Sequence, residues 1–189
     1  MNKNLVTPFI VLTGIIIFAY FYFQYNVREN VPGENKFRLA NKYLEDGENK
    51  EALGTFDEVL SQYPEYKEAH LGRAITLMQM SRFDESGAAF DKAVFLDEKF
   101  AAAYANRGIL NDRTGRFKDA VSDYRKAIEL DPELAEGPGW IWRFLRNIPD
   151  KPPSIADRAD YIDAELKKPE GERLLSVPEL DAQQRMYKK

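Results

Sequence analysis

Covalent and metal chemistry in proteins leans on histidine, cysteine and clustered carboxylates, and this chain is short of the first two. It has one histidine, His70, and no cysteine. A thiolate nucleophile, a disulfide framework and a cysteine metal site are therefore excluded, and a metal centre or a Ser-His-Asp arrangement would have to rest on His70 alone. Aspartate and glutamate are plentiful, 31 against 27 lysines and arginines for a formal charge of -4, but they are scattered over helix-forming stretches where solvation accounts for them. Catalysis is not expected, nor is a metal, a cofactor or a small-molecule substrate. The sign of the alternative, an enzyme or an accessory subunit using acidic residues of the C-terminal extension, would be a carboxylate pair with raised pKa values in a cleft. The negative charge and the lack of a dense basic cluster exclude a nucleic-acid partner. Arg73 and Arg107 recur thirty-four positions apart, and such a pair is expected to make inter-helix hydrogen bonds rather than do chemistry.

The elements that would position these residues are helices. Between Ala101 and Pro132 small or apolar residues recur at three- and four-residue steps on both sides of Gly115, which predicts two amphipathic helices joined by a tight turn. The inward set is Tyr104, Gly108 and Ile109, then Phe117, Ala120, Tyr124, Ala127 and Ile128. One hairpin cannot bury that much apolar surface alone. The preceding stretch carries the same pattern, with His70, Arg73, Phe83, Phe90 and Ala93 standing thirty-four positions before Tyr104, Arg107, Phe117, Tyr124 and Ala127. One shift further back, Tyr43, Gly47, Ala52 and Phe56 fall into register with Leu77, Ser81, Ser86 and Phe90. His70, at the position of Tyr104, is read as a packing residue.

A period of thirty-four with this spacing resembles the tetratricopeptide repeat. The resemblance covers three units, 33–66, 67–100 and 101–134. It is strongest in the third, where Gly108, Gly115, Ala120, Tyr124, Ala127 and Pro132 match the family's small residue, turn glycine, small residue, aromatic, alanine and closing proline. The second unit departs with Ser81 for the turn glycine, Ser86 for the alanine and Glu98 for the proline, and the first has Lys36 where the family prefers a large aromatic.

The resemblance implies an all-α solenoid of helix-turn-helix repeats whose concave wall is built by the first helix of each unit. Mapped onto this sequence, the wall carries Phe37, Asn41 and Leu44, then Leu71, Ile75 and Met78, then Ala105, Ile109 and Asp112. Members that bind chaperones hold a peptide's C-terminal carboxylate with basic and amide side chains along this wall. Here Asn41 alone matches that set, with Phe37, Gly72, Ala102 and Asn106 at the other positions, so carboxylate recognition is not implied. The apolar middle of the wall suits an amphipathic helix or an extended hydrophobic segment, either of a partner or of the chain's own C-terminal extension. The resulting expectation is a scaffold for protein-protein interaction, docking on a membrane complex or acting as its assembly factor.

The flanks complete the reading. Residues 1–30 form an N-terminal segment in which the run 5–25 has no charge; as a helix it would extend for about 31 Å, the thickness of the hydrocarbon layer, which predicts a transmembrane anchor. Tyrosines at 20, 22 and 25 suit an interface, and Lys3 at the start gives a slight preference for repeats outside the cell membrane, periplasmic in a bacterium. Val31, Pro32 and Gly33 form a break before the repeats. Residues 135–189 are expected to be a helical, proline-interrupted extension. Its stripe Trp140, Ile141, Phe144, Leu145 and Ile148 reads as a cap on the last repeat, with Trp140, Trp142 and Phe144 as a cap or a binding hot spot. A helix from Ser154 to about Leu166 has Ser154 and Asp157 at capping-box spacing, and another is predicted from Pro178 to about Tyr187.

Overall fold

The computed structural model describes residues 13–22, 32–137 and 153–176. All elements among them are helical. A first helix, α1, covers residues 13–22. Six follow as three hairpins: α2 (Glu34–Asp46) with α3 (Asn49–Gln62), α4 (Lys67–Gln79) with α5 (Phe83–Leu96), and α6 (Ala101–Arg113) with α7 (Phe117–Leu130). A 3-10 turn at Pro132–Ala135, the helix α8 (Ile155–Leu166) and a second 3-10 turn at Glu170–Glu172 complete the order.

The thirty-four-residue period becomes a repeated set of contacts. Ala40 and Ala74 are fully buried at the crossing of their hairpins, as are Ala52, Ser86 and Ala120 on the facing helices. The aromatic position is Phe56, Phe90 and Tyr124, each with no exposed surface, and the next turn adds Val59, Ala93 and Ala127. Gly108 takes the small-residue position in the third unit because a Cβ there would lie 2.6 Å from the Tyr124 ring. Where serine replaces alanine in the second unit, its hydroxyl donates to Ala74 O at 2.8 Å, so the buried polar group is satisfied.

Each hairpin turns through a left-handed residue at the same repeat position: Gly47 at φ 78°, Ser81 at φ 59° and Gly115 at φ 76°. The second unit thus keeps the turn without its glycine, and Ser81 carries the cost of a side chain in that region. Consecutive first helices start side by side, since Tyr66 OH donates to Glu34 Oε2 at 2.7 Å and Lys67 pairs with Asp97 in the turn before α6. Burial pushes the Tyr66 hydroxyl pKa up, and Glu34 adds to the shift.

The expected membrane span is overturned. Within 5–25 the described residues, 13–22, are the helix α1. No helix among the described residues is long and apolar enough to cross a membrane. The single-pass anchor, and with it the placement of the repeats outside a cell membrane, is therefore corrected. Residues 5–12 and 23–25 of that run lie outside the described residues.

Candidate functional site

The nine wall residues fall on α2, α4 and α6, the three first helices, at equivalent turns. Seven of them are buried: Leu44, Leu71, Ile75, Met78, Ala105, Ile109 and Asp112, none more than 5% exposed. Phe37 and Asn41 on α2 are half-buried. Phe37 packs its ring 4.9 Å from Tyr66 and 6.1 Å from Phe56, and the Asn41 amide donates back to Phe37 O at 3.2 Å. The other positions of the carboxylate-binding set hold no cation. Gly72 is packed so closely under Phe56 that a Cβ would meet the ring at 2.3 Å, and Asn106 is buried with its amide donating to Ala102 O.

Asp112 is not a free acceptor on the wall. Arg158, in the first turn of α8, donates through Nε and Nη2 to its two carboxylate oxygens at 2.7 and 2.8 Å, and both side chains are at most 5% exposed. The Tyr124 hydroxyl reaches the same carboxylate at 3.2 Å. Arg158 Nη2 also donates to Leu175 O, and its guanidinium lies over the Tyr161 ring. Sequence reasoning placed Asp112 on the wall but had no means of finding Arg158, forty-six residues away and outside the repeat period.

The repeated arginines do what their spacing implied. Arg73 Nε donates to Asp57 at 2.6 Å, and Arg107 Nη1 donates to Asp91 at 2.8 Å, each spanning the same sixteen-residue separation across neighbouring hairpins. Arg107 adds a two-pronged contact to Asp123, which raises its pKa further, and Asn111 donates to the same carboxylate. His70 is half-buried with Nε2 2.8 Å from Pro64 O, and burial lowers its pKa. Wherever a shift is resolved for a described carboxylate it is downward: Arg82 lowers Glu85, Lys67 lowers Asp97, Lys167 lowers Asp163, and the Leu174 amide lowers Glu165. Among the described residues no cluster of three or more His, Asp or Glu could hold a metal ion. Trp140, Trp142 and Phe144 lie outside the described residues.

Three stacked hairpins repeating one contact set every thirty-four residues define a helical-repeat solenoid. Models of the tetratricopeptide repeat match residues 37–99 and 101–134, together just over half of the chain, and the protein belongs to that family. Solved structures share the fold. The TPR domain of Arabidopsis OM64 is 23% identical with a TM-score of 0.52, the match covering 53% of this chain and 84% of that one. The first TPR of Spaghetti (RPAP3) bound to the HSP90 peptide SRMEEVD is 22% identical, TM-score 0.52, over 61% and 89%. The TPR2B domain of yeast Sti1 in its pHsp70 complex is 20% identical, TM-score 0.56, over 72% and 100%. Among curated proteins none matches.

Proposed function

We propose that this chain is a non-catalytic docking module that takes an apolar segment of another protein across its first helices. One observation carries the reading: the residues that α2, α4 and α6 contribute to one face are apolar and aligned, from Phe37 and Leu44 through Leu71, Ile75 and Met78 to Ala105 and Ile109. Similar folds are seen with an HSP90 peptide and in an Hsp70 complex, which supports peptide docking as the mode. The ligand differs in chemistry, because binding a C-terminal carboxylate needs cations and Gly72, Ala102 and Asn106 supply none. Asp112, Asp123 and Glu165 each sit in an ion pair or accept several hydrogen bonds.

Fluorescence anisotropy on the full chain tests this directly. An amphipathic helical peptide with an apolar stripe should bind at least about tenfold more tightly than SRMEEVD, a gap of roughly 1.4 kcal/mol. Phe37→Glu should abolish that binding. Tighter binding of SRMEEVD, or binding indifferent to Phe37→Glu, would overturn the proposal.

A further inference from the structure

The second and third units share a period but enclose a space that the first and second do not. Between α5 and α7, over α6, lies a cavity of about 430 Å³. Its floor is Arg107, Leu110 and Asn111 of α6. At 100° per residue these stand about 180° round the helix from the wall residues Ala105, Ile109 and Asp112, so the cavity is on the opposite side of α6 from the docking wall.

Three departures from the repeat make it. Gly87 stands thirty-four positions from both Leu53 and Val121, whose side chains pack against the core, and so leaves open the volume that the other units fill. Asn111 and Asp123 stand where the second unit has the buried apolar Leu77 and Ala89. These polar groups are satisfied, because Asn111 and Arg107 both donate to Asp123 and Arg116 donates to Asn111. The third departure is at the rim. Arg82 holds both oxygens of Glu85, three residues on. Arg116 and Asp119 keep that spacing, yet Arg116 Nε turns inward to Asn111 Oδ1 at 2.8 Å. Among the described residues nothing bonds to the Asp119 carboxylate or to the Ser122 hydroxyl, and both line the cavity.

We infer that this cavity is a second recognition site, which takes the arginine side chain of a partner segment. The aspartates at 91, 119 and 123 outnumber the arginines at 107 and 116, so the lining favours a cation. Arg107 is already neutralised between Asp91 and Asp123. Asp119 keeps two acceptor oxygens, which the parallel N–H groups of a guanidinium match. Asp91 faces it from α5, exposed and accepting from Arg107 through Oδ1 only. Leu110 and the space over Gly87 receive the methylene stem. A metal ion is a poor occupant, since among the described residues no three carboxylates come together closely enough to hold one.

An NMR titration of the full chain with N-acetyl-arginine N-methylamide tests the site with a small probe that carries the group. Amide shifts should cluster at Gly87, Asp119 and Ser122 with millimolar affinity. The lysine analogue should bind about threefold or more weakly, and the neutral citrulline analogue should not bind. Asp119→Asn should weaken arginine binding about tenfold or more. Gly87→Leu restores the residue type of the first unit, and its Cβ would lie 3.7 Å from Leu110, an ordinary contact. That chain should fold with an unchanged or raised melting temperature and lose the site. Absence of saturable shifts at these residues, equal affinity for the lysine or citrulline analogue, or binding that survives both substitutions overturns the inference. Binding of the apolar peptide at the wall should be untouched by Gly87→Leu, so this site and the docking module stand or fall separately.

Discussion

The repeats and the segment that closes them are held by different physics. From Glu34 to Leu130 stability comes from small residues meeting rings and methyl groups at every hairpin crossing, contacts that are short-range in sequence and recur with the period. At α8 the apolar contribution is modest, Ile155, Ala159 and Ile162 against the third hairpin, and a buried ion pair fixes the orientation. That orientation is reversed relative to the repeats. Consecutive first helices meet start to start, as Tyr66 and Glu34 show, whereas the first turn of α8 meets the last turn of α6 through Arg158 and Asp112. Among the described residues α8 meets the third hairpin through a contact that lies outside the repeat period. Specifying it by a charge pair fixes one register and one direction, which an apolar stripe alone would not.

The comparison can be broken at several points. The largest effect should come from the repeated core: Phe90→Ala empties a fully buried site in the central hairpin and should cost about 3 to 5 kcal/mol in urea unfolding. Because every unit leans on its neighbour, protection from amide exchange should fall from α2 to α7 together. Loss confined to α4 and α5 would show that the hairpins are independent.

Next in size is Arg158→Ala, which leaves the Asp112 carboxylate buried without its guanidinium. The expected cost is about 3 kcal/mol, the low end for a broken buried pair because α8 can release and let water reach Asp112. Exchange should therefore quicken in Ile155–Leu166 while α4 and α5 keep their protection. Uniform weakening of the whole chain would mean that α8 belongs to the same cooperative unit as the repeats.

A smaller and opposite change is expected at the central turn. Ser81→Gly removes the side chain from the left-handed region and should stabilise by about 1 kcal/mol, seen as a raised melting temperature. A neutral or lowered melting temperature would show that the serine is held there by something beyond turn geometry.

The smallest effect concerns pH. The folded pKa of His70 is depressed by burial, so the unfolded chain binds the extra proton first. Stability is then full above the ordinary histidine value of about 6.5 and declines as pH falls from there toward the folded value. His70→Gln should flatten the melting temperature across that window, and an unchanged slope would assign it to other groups.

The sequence by itself determined whatever repeats. Hairpin order, the small residues at crossings, the turn at Ser81 and the arginine pairs spanning sixteen residues all follow from a thirty-four-residue period, because equivalent positions must meet equivalent neighbours. The Ser154–Asp157 capping box was equally legible, since its partners are three residues apart and it forms as spaced. The uncharged run at 5–25 predicted a membrane span, and no helix among the described residues is long and apolar enough to cross a membrane. Only the tertiary structure decided what happens once. That Asp112 is locked by Arg158, and that the first turn of α8 meets the last turn of α6, depend on residues brought together from far apart in the chain. Such contacts carry no period, and nothing local in the sequence announces them.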